Sequence, residues 1–457
     1  MVNERRWLIL IFALYILLGV GYSLLMPVWE APDEPAHYHL GWHFATYKEY
    51  PSQDFNYESH QPRTFYYFSS WVVRALDTID PELTRFRRPE EYVFNIRKPE
   101  RRFNWTDENY TFYWGVYVLR WINLAIGGIA LWLNWRTFRQ IAPPSLALAA
   151  LAFAALTPQY LHIMSSVNND ALGTLAGALL FYLAIRFVKE PSLWLGLLLI
   201  PMAVLLPLFT KLTVLPISAA LLLILAWKWL FGFPQKRWLL YSALFIFLGA
   251  GIFYLVFPET VQSIFHEIQW RLFSLRRNAL TEKYIKAVSS QILWTYWGKV
   301  GWLAVGLPLW IIQLLTGLGV IGMILNGYSL WLSWAHSEEP QVMAAVAPPP
   351  ASSITAGETI APSKRLQLGF WLAVWLVALL TVLAVARNGL TTFATQGRLL
   401  FPAIGALSLL MVAGWHQTLP TRIQQYLPLL VILLFLFCNL ILWLTGVIPI
   451  YYQPFFD

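Results

Sequence analysis

Two adjacent carboxylates, Asp33 and Glu34, lie between two prolines shortly after the first apolar stretch of the chain. Proline fixes its own φ and disfavours the α region for the residue before it, so Pro32 and Pro35 predict a stiff elbow here rather than the interior of a helix. At a bilayer border the lower dielectric favours the neutral form of a carboxyl group, and one of two adjacent acids can reach a pKa suited to a general base. An isolated acidic pair is also typical of a solvated turn, so the rest of the chain must decide.

Composition places this elbow in a membrane protein. The chain is 58% hydrophobic and 12% charged, with 24 tryptophans, and it contains repeated apolar runs long enough to cross a bilayer. These features predict an all-α integral membrane protein forming one polytopic domain over residues 1–457, and they exclude water-soluble classes. The net charge of +8 does not indicate nucleic-acid binding, because the basic residues are scattered at the ends of apolar runs. The single cysteine, Cys438, excludes an intramolecular disulfide and a cysteine metal cage.

Apolar runs of about 17 to 30 residues predict about eleven transmembrane helices. The predicted spans are 7–26, 113–133, 145–163, 170–188, 193–209, 213–231, 238–257, 302–332, 367–386, 399–415 and 426–446. Lysine and arginine are concentrated in alternate connections, which predicts a cytoplasmic N-terminus. With an odd number of spans, the C-terminus is expected on the extracytoplasmic side.

Three connections differ from the short ones. Residues 27–112 hold more than half of the acidic residues and are rich in aromatic residues, which predicts a large, folded extracytoplasmic loop between the first two spans. Residues 258–301 form a second predicted extracytoplasmic loop, with basic and aromatic residues suited to a membrane surface. Residues 335–366 include a run of proline, alanine and serine, which predicts a flexible cytoplasmic linker.

Polar residues also occur at the ends of apolar runs, where they are energetically costly. Three groups lie on the face predicted to carry Asp33: Asn168-Asn169-Asp170, Lys211 and Arg398, while Arg120 lies about two turns inside the second span. Each one alone is typical of a helix cap or an internal salt bridge. Together on one face, they suit a ligand with both a sugar or hydroxyl group and a phosphate, because amides and carboxylates bind the former and cations the latter.

Five short motifs give the chain a resemblance to a known family. They are Glu30–His39, Glu58–Pro62, Val167–Asp170, Trp297–Trp302 and Gln396–Pro402. With these motifs the chain resembles a group of bacterial multi-spanning proteins of unknown function. That group is similar to the GT-C superfamily of polyprenyl-phosphate-sugar glycosyltransferases, akin to protein O-mannosyltransferases and the lipid A aminoarabinose transferase. In that superfamily the acidic motif of the first outside loop supplies the catalytic carboxylate, so the resemblance implies Asp33 as the base and Glu34 as its neighbour.

The resemblance implies a multi-pass enzyme of the bacterial plasma membrane that transfers a sugar, with inversion, from a polyprenyl-phosphate donor to an extracytoplasmic hydroxyl of a lipid or glycan. The leaving phosphate needs cations. The candidates for phosphate binding are Lys211, Arg398, Arg271 and Arg276, and those for substrate binding are His37, His60, Asn168, Asn169, Asp170 and Arg120. The sequence shows no Gly-rich nucleotide loop, which agrees with a donor that carries lipid phosphate.

Two alternatives stay open from the sequence. A transporter or flippase of lipid-linked saccharide also needs cations and aromatic residues in a cavity, although it predicts polar residues facing both leaflets. A divalent metal held by Asp33, His37, His39 and His43 is a further possibility, although His-x-His spacing is a weak signal and no metal ligand is assigned.

The predicted topology can be tested by labelling cysteines from outside the cell, after Cys438 has been replaced. A cysteine at position 54 is expected to react with an impermeant reagent, because residues 27–112 are predicted to be extracytoplasmic. A cysteine at position 350 is expected to be protected. Protection at position 54 together with labelling at position 350 would reverse the orientation.

Overall fold

Helices make up nearly all of the regular structure. The computed structural model describes residues 4–84, 114–232, 273–335 and 364–452, with isolated positions between 255 and 269. Its longer helices are α1 (Glu4–Leu25), α2 (Glu34–Tyr47), α3 (Thr64–Asp77), α4 (Trp114–Ile141), α5 (Pro144–Leu156), α6 (Pro158–Met164), α7 (Asp170–Lys189), α8 (Leu193–Phe209), α9 (Leu215–Gly232), α10 (Glu282–Trp297), α11 (Leu309–Ala335), α12 (Lys364–Thr391), α13 (Ile404–Thr418) and α14 (Leu427–Leu442). One small antiparallel hairpin pairs β1 (Lys299–Val300) with β2 (Val305–Gly306). The all-α prediction is confirmed.

Fewer candidate spans are found than the eleven predicted. In the described ranges eight helices are long and apolar enough to cross a membrane, or nine if a bent pair is counted as one span. Leu193–Phe209 is apolar but shorter than these spans. The predicted span 238–257, most of the linker 335–366, and residues 85–112 of the first loop lie outside the described residues.

Two predicted spans have different boundaries because of proline and glycine. The span predicted at 145–163 is two helices, α5 and α6, bent by 60° at Pro158, because a proline removes an amide donor and clashes with the preceding turn. The span predicted at 302–332 begins only at Leu309. The residues before it form the β-hairpin, whose turn contains Gly301 with a φ of 50°, and Pro308 follows the second strand.

The packing brings several helix ends to one face. The short helix α5 is apolar all round and is buried almost throughout, with α13 and α14 packed on it, which is typical of a central helix. α4 packs along α7, and α11 along α13. The end of α1 and the beginnings of α4 and α7 therefore share a face with the elbow that carries Asp33.

The first loop forms a small core of its own on this face. α2 packs against α3. Aromatic and aliphatic side chains of both helices form a buried cluster with residues of α4. The buried set includes Trp29, Tyr38, Phe65, Tyr66, Val116 and Leu119. The loop thus begins with a folded element that packs directly on the membrane helices.

The contact between α11 and α13 depends on glycine, and this gives a stability prediction. A Cβ atom at Gly322 would overlap the carbonyl oxygen of Met411, whereas a Cβ atom at Gly317 on the same helix would meet nothing within 4 Å. We expect Gly322→Ala to lower the free energy of unfolding by about 1–3 kcal/mol, as overpacking does. Gly317→Ala gains the same helix propensity without the clash and serves as the control. Thermal unfolding in detergent measures both, and equal stability of the two variants would contradict the close packing.

Candidate active site

The elbow after α1 contains two residues in the left-handed region. Trp29 has a φ of 75° and Asp33 a φ of 65°. Asp33 is the N-cap of α2, but its side chain makes no capping hydrogen bond. Aspartate tolerates this backbone conformation better than most residues, and such conformations cluster at functional sites. The carboxylate of Asp33 is therefore turned towards other elements rather than used by its own helix.

A fully buried ion pair fixes the elbow. Nε of Arg120 donates to Oε1 of Glu34 at 2.8 Å and Nη2 donates to Oε2 at 2.6 Å, with both side chains 0% exposed. Arg120 also donates to the backbone carbonyls of Ser23, Met26 and Pro27. The carbonyl of Ser23 would normally accept from residue 27, but Pro27 has no N–H group. Arg120 supplies that missing donor at the end of α1.

Glu34 also joins the elbow to the loop that precedes α7. Its carboxylate accepts from the backbone N–H of Trp29 and from that of Val167, each at 3.0 Å. With the two bonds from Arg120, every part of this buried carboxylate is hydrogen-bonded. The sequence analysis placed Glu34 beside the base. In the structure its carboxylate is fully used in contacts between the elbow, α4 and the loop before α7.

Asp33 lies in a chain of alternating charges. Its carboxylate accepts a hydrogen bond from the Tyr57 hydroxyl at 3.0 Å and forms an ion pair with Arg398. Nη1 of Arg398 lies 3.6 Å from Oδ2 of Asp170, whose other oxygen accepts from Nζ of Lys211 at 2.7 Å. The side chain of Asp33 is 20% exposed, whereas those of the other three charged residues are 10% or less. Asp33 is therefore the more exposed of the two carboxylates in this row of charges.

The cations are positioned by close packing. Lys211 lies between α8 and α9, and its Cβ approaches Gly173 of α7. Gly397, just before Arg398, donates its N–H to the Thr295 hydroxyl of α10 at 2.6 Å and has no room for a side chain against that helix. Glycines at these two contacts, Gly173 and Gly397, thus allow the close packing that positions Lys211 and Arg398.

The charge distribution keeps Asp33 ionised. Burial raises the pKa of this carboxyl group, but the Arg398 guanidinium and the hydrogen bond from Tyr57 outweigh burial and hold the pKa below its ordinary value. Burial lowers the pKa of His37, although Glu58 and Asp33 oppose that shift. At neutral pH the site thus has a carboxylate at Asp33 and a neutral imidazole at His37.

Several polar atoms of this site are buried without a hydrogen bond in the described part of the chain. They are Nε and Nη1 of Arg398, Oδ2 of Asp170 and Oε1 of Gln396. Buried polar atoms in proteins are nearly always hydrogen-bonded. These two nitrogens of Arg398 remain able to donate to a phosphate oxygen, since guanidinium binds phosphate readily.

Three donor groups near Asp33 fit a divalent cation. One ligand atom each from Asp33, His37 and Glu58 lies within 4.8 Å of the others. Nδ1 of His37 is 2.8 Å from the Tyr66 hydroxyl, which leaves Nε2 for a metal, and such an outer hydrogen bond is typical of ligating histidines. Two carboxylates and an imidazole suit ions such as Mn²⁺ or Zn²⁺.

The four-residue metal set considered from the sequence is only partly assembled. His39 and His43 pack edge to face on another side of α2, with ring centroids 5.6 Å apart. Positions 37 and 39 point in different directions because successive helical residues are about 100° apart. Glu58, absent from the predicted set, takes their place beside His37.

The other predicted site residues are placed as follows. Asn169 binds Lys211 through Oδ1 and Gln61 through Nδ2, so it belongs to the charge chain. Asn168 bonds backbone groups before α7 and the N–H of Asp170, which is a structural role. The Nδ1 of His60 contacts the carbonyl of Tyr57, and its Nε2 contacts Gln61. Arg120 is buried in its pair with Glu34 rather than facing a ligand.

One predicted phosphate ligand, Arg276, lies away from the charge chain. Arg276 is exposed and lies over the ring of Tyr284 at 5.8 Å, beside the end of α12. Arg271 lies outside the described residues. A position next to an amphipathic stretch was a weak guide to the location of Arg276, and the prediction for Arg271 stays a prediction.

Tyr57, Tyr66 and Glu58 are site residues that the sequence reasoning did not assign. Glu58 belongs to a motif used for the resemblance, and that motif could have indicated a role. Glu30, in the elbow, was also unassigned: it accepts from the Tyr451 hydroxyl at 3.2 Å, and burial raises its pKa to about 7. Tyr57 is 24 residues from Asp33, and Tyr451 is 421 residues from Glu30, so the fold rather than the local sequence reveals these contacts.

With this geometry in place, comparison with known families is informative. Residues 114–261 match the family model described as Dolichyl-phosphate-mannose-protein mannosyltransferase. Over these residues the chain is similar to a GT-C glycosyltransferase family. The predicted resemblance is thereby confirmed for the segment, and no curated protein gives a significant match.

The glycosyltransferase segment covers only part of the site. Arg120, Asp170 and Lys211 lie within the matched residues, whereas Asp33 and Arg398 lie on either side of them. The family implies a multi-span membrane glycosyltransferase that uses a lipid-linked sugar donor. The fold joins the two outlying residues to the matched segment through the ion pairs of Arg398.

Removing one partner of the buried pair should be severely destabilising. Arg120→Met leaves Glu34 buried without its cation, and we expect a loss of about 3–5 kcal/mol in the free energy of unfolding. The double variant Glu34→Met/Arg120→Met should lose less than the sum of the two single variants, because the two side chains act as a unit. Arg422→Met removes an exposed guanidinium and is the control. Unfolding in detergent measures all four, and an Arg120→Met variant as stable as the control would refute the anchoring role.

Proposed function

We propose that this protein is an inverting membrane glycosyltransferase that moves a sugar from a polyprenyl-phosphate donor to an acceptor hydroxyl on a lipid or glycan. The observation that carries the proposal is the contact between Asp33, an accessible carboxylate, and Arg398, a buried cation with N–H groups left to donate. The family match to residues 114–261 supports the donor class.

In this reaction the acceptor oxygen forms a bond to the anomeric carbon while the bond from that carbon to the phosphate oxygen breaks. Asp33 takes the proton from the acceptor hydroxyl. The lipid phosphate leaves with the bonding electron pair, and its added charge is stabilised by Arg398 and Lys211. A single displacement from the face opposite the leaving group inverts the configuration.

The ion pair between Asp33 and Arg398 would keep the base inactive until the donor arrives. A carboxylate bound to a guanidinium is a weak base, because the ionised form is stabilised. The donor phosphate competes for Arg398, and the sugar must then lie between that phosphate and Asp33. Loss of the guanidinium raises the proton affinity of Asp33 when the acceptor is in place.

A cation bound by Asp33, His37 and Glu58 would supply further positive charge for the leaving phosphate. The chain's own residues would hold that ion through two carboxylates and one imidazole nitrogen.

The base assignment predicts a large loss of turnover in Asp33→Asn. Asparagine keeps the shape of the side chain but removes its proton affinity, so turnover should fall by about two to four orders of magnitude while donor binding persists. Asp54→Asn, which changes an exposed carboxylate of the same loop, is expected to keep full turnover. A donor-consumption assay on purified variants, run beside a donor-binding measurement, makes the comparison.

Full activity of Asp33→Asn would end this mechanism. Lost donor binding in the same variant would demote Asp33 to a binding group and favour a transporter or flippase of lipid-linked saccharide.

The cation assignment predicts weaker donor binding in Arg398→Gln and Lys211→Gln. Hydrogen bonds from charged groups contribute enough that each change should weaken donor affinity by about ten- to a hundredfold. Arg422→Gln, an exposed arginine after α13, is the control and should bind normally. Titration of the purified variants with donor measures the affinities, and melting temperatures show that they are folded. Normal donor affinity and turnover in both site variants would exclude these residues as phosphate ligands.

A further inference from the structure

A second charged cavity lies on the membrane face opposite the candidate active site. It is formed where α1 begins and where α4 and α7 end, and it has a volume of about 760 Å³. α7 separates the two sites by its 20 residues, from Asp170 in the charge chain to Lys189 at the cavity. At 1.5 Å per residue this is about 30 Å, roughly the hydrocarbon thickness of a bilayer.

This cavity has an excess of positive charge. Its cations are Arg5, Arg136, Arg139, Arg186 and Lys189. Its two carboxylates are both engaged: Glu4 pairs with Arg139 at 2.5 Å, and Glu190 lies 3.8 Å from Lys189. Within the described part of the chain, the remaining three arginines have no carboxylate partner. A concave site with this balance attracts an anion.

An aromatic donor in the same cavity also lacks a partner. The indole N–H of Trp135 is buried and has no hydrogen bond among the described residues, and Trp135 lines the cavity together with Tyr182. Buried donors are normally satisfied. A ligand oxygen in the cavity would satisfy this one, and the neighbouring arginines favour an oxygen that carries negative charge.

The surroundings of the cavity favour a lipid over a soluble anion. Leu8 of α1 lines the cavity, while the next residue, Ile9, is 59% exposed, and Trp132 on α4 is 45% exposed. Large apolar side chains exposed on membrane helices face lipid tails, and tryptophan is enriched where the tails meet the headgroups. Basic pockets between membrane helices suit anionic lipid headgroups.

We propose that this cavity binds the headgroup of an anionic phospholipid, with its phosphate among the arginines and its acyl chains on the apolar faces of α1 and α4. The bound lipid would link the ends of α1, α4 and α7. Those are the helices whose other ends hold the ion pairs of the candidate active site. This function is separate from glycosyl transfer and does not depend on it.

The test uses the purified full-length protein in nanodiscs or detergent with phosphatidylglycerol or the zwitterionic phosphatidylcholine as the probe. Retained lipid is measured by native mass spectrometry, and stabilisation by melting temperature. Wild type should retain phosphatidylglycerol and be stabilised by it selectively. The double variant Arg136→Gln/Arg186→Gln should bind it more weakly, by about fivefold for each cation removed. Binding should weaken as the salt concentration rises, because the arginines of the cavity are exposed and salt screens exposed charges.

Two control variants make the result specific. Arg422→Gln removes an exposed arginine at the same end of the helices, outside the cavity, and should retain the lipid. The charge-conserving Arg136→Lys/Arg186→Lys should restore most of the binding and shows that loss in the glutamine variant is not misfolding. Equal phosphatidylglycerol retention by wild type and the glutamine variant would overturn the proposal. Protection by inorganic phosphate or pyrophosphate without protection by the lipid would overturn it as well, because it would identify a soluble anion as the ligand.

Discussion

Pro27 lacks an N–H group, so the last turn of α1 leaves the carbonyl of Ser23 without its usual donor, and the guanidinium of Arg120 supplies one from another helix. A buried guanidinium requires a counter-charge, which Glu34 provides through two hydrogen bonds. Taking two charges out of water is expensive, and such a pair is tolerated only when its hydrogen bonds are satisfied, as they are here. The backbone of the elbow must therefore place the Glu34 carboxylate beside Arg120. That requirement also sets the backbone of the preceding residue, Asp33, which lies in the left-handed region.

This constraint separates the roles of two neighbouring carboxylates. Glu34 is fully buried and hydrogen-bonded on all sides, so it maintains the junction of α1, α4 and the loop before α7. Asp33 is partly exposed and faces Arg398, which also lies near Asp170. The acid that organises the fold and the acid proposed to do the chemistry are adjacent in the chain because one fixes the position of the other.

The sequence predicted the helical membrane fold and the side on which the polar residues gather, since apolar length and the positions of costly charges are local properties. It placed Asp33, Asp170, Lys211 and Arg398 on one face, and the fold brings them into contact. The resemblance named Asp33 as the base and Glu34 as its neighbour, but the ion pair of Glu34 with Arg120 was not predicted, because the two residues are 86 positions apart. The sequence reasoning also missed the break at Pro158 and the hairpin before α11. Average hydropathy does not register a single proline or a left-handed glycine.

The central claim is that donor phosphate takes Arg398 away from Asp33 while the Glu34–Arg120 pair stays in place. A structure of the protein with a non-hydrolysable polyprenyl-phosphate-sugar analogue tests this most directly. The account predicts the phosphate within hydrogen-bond distance of Arg398 and the sugar between that phosphate and Asp33. The Arg398–Asp33 ion pair should be broken and the Glu34–Arg120 pair unchanged. A bound analogue whose phosphate lies away from Arg398, with the Arg398–Asp33 pair intact, would contradict the account.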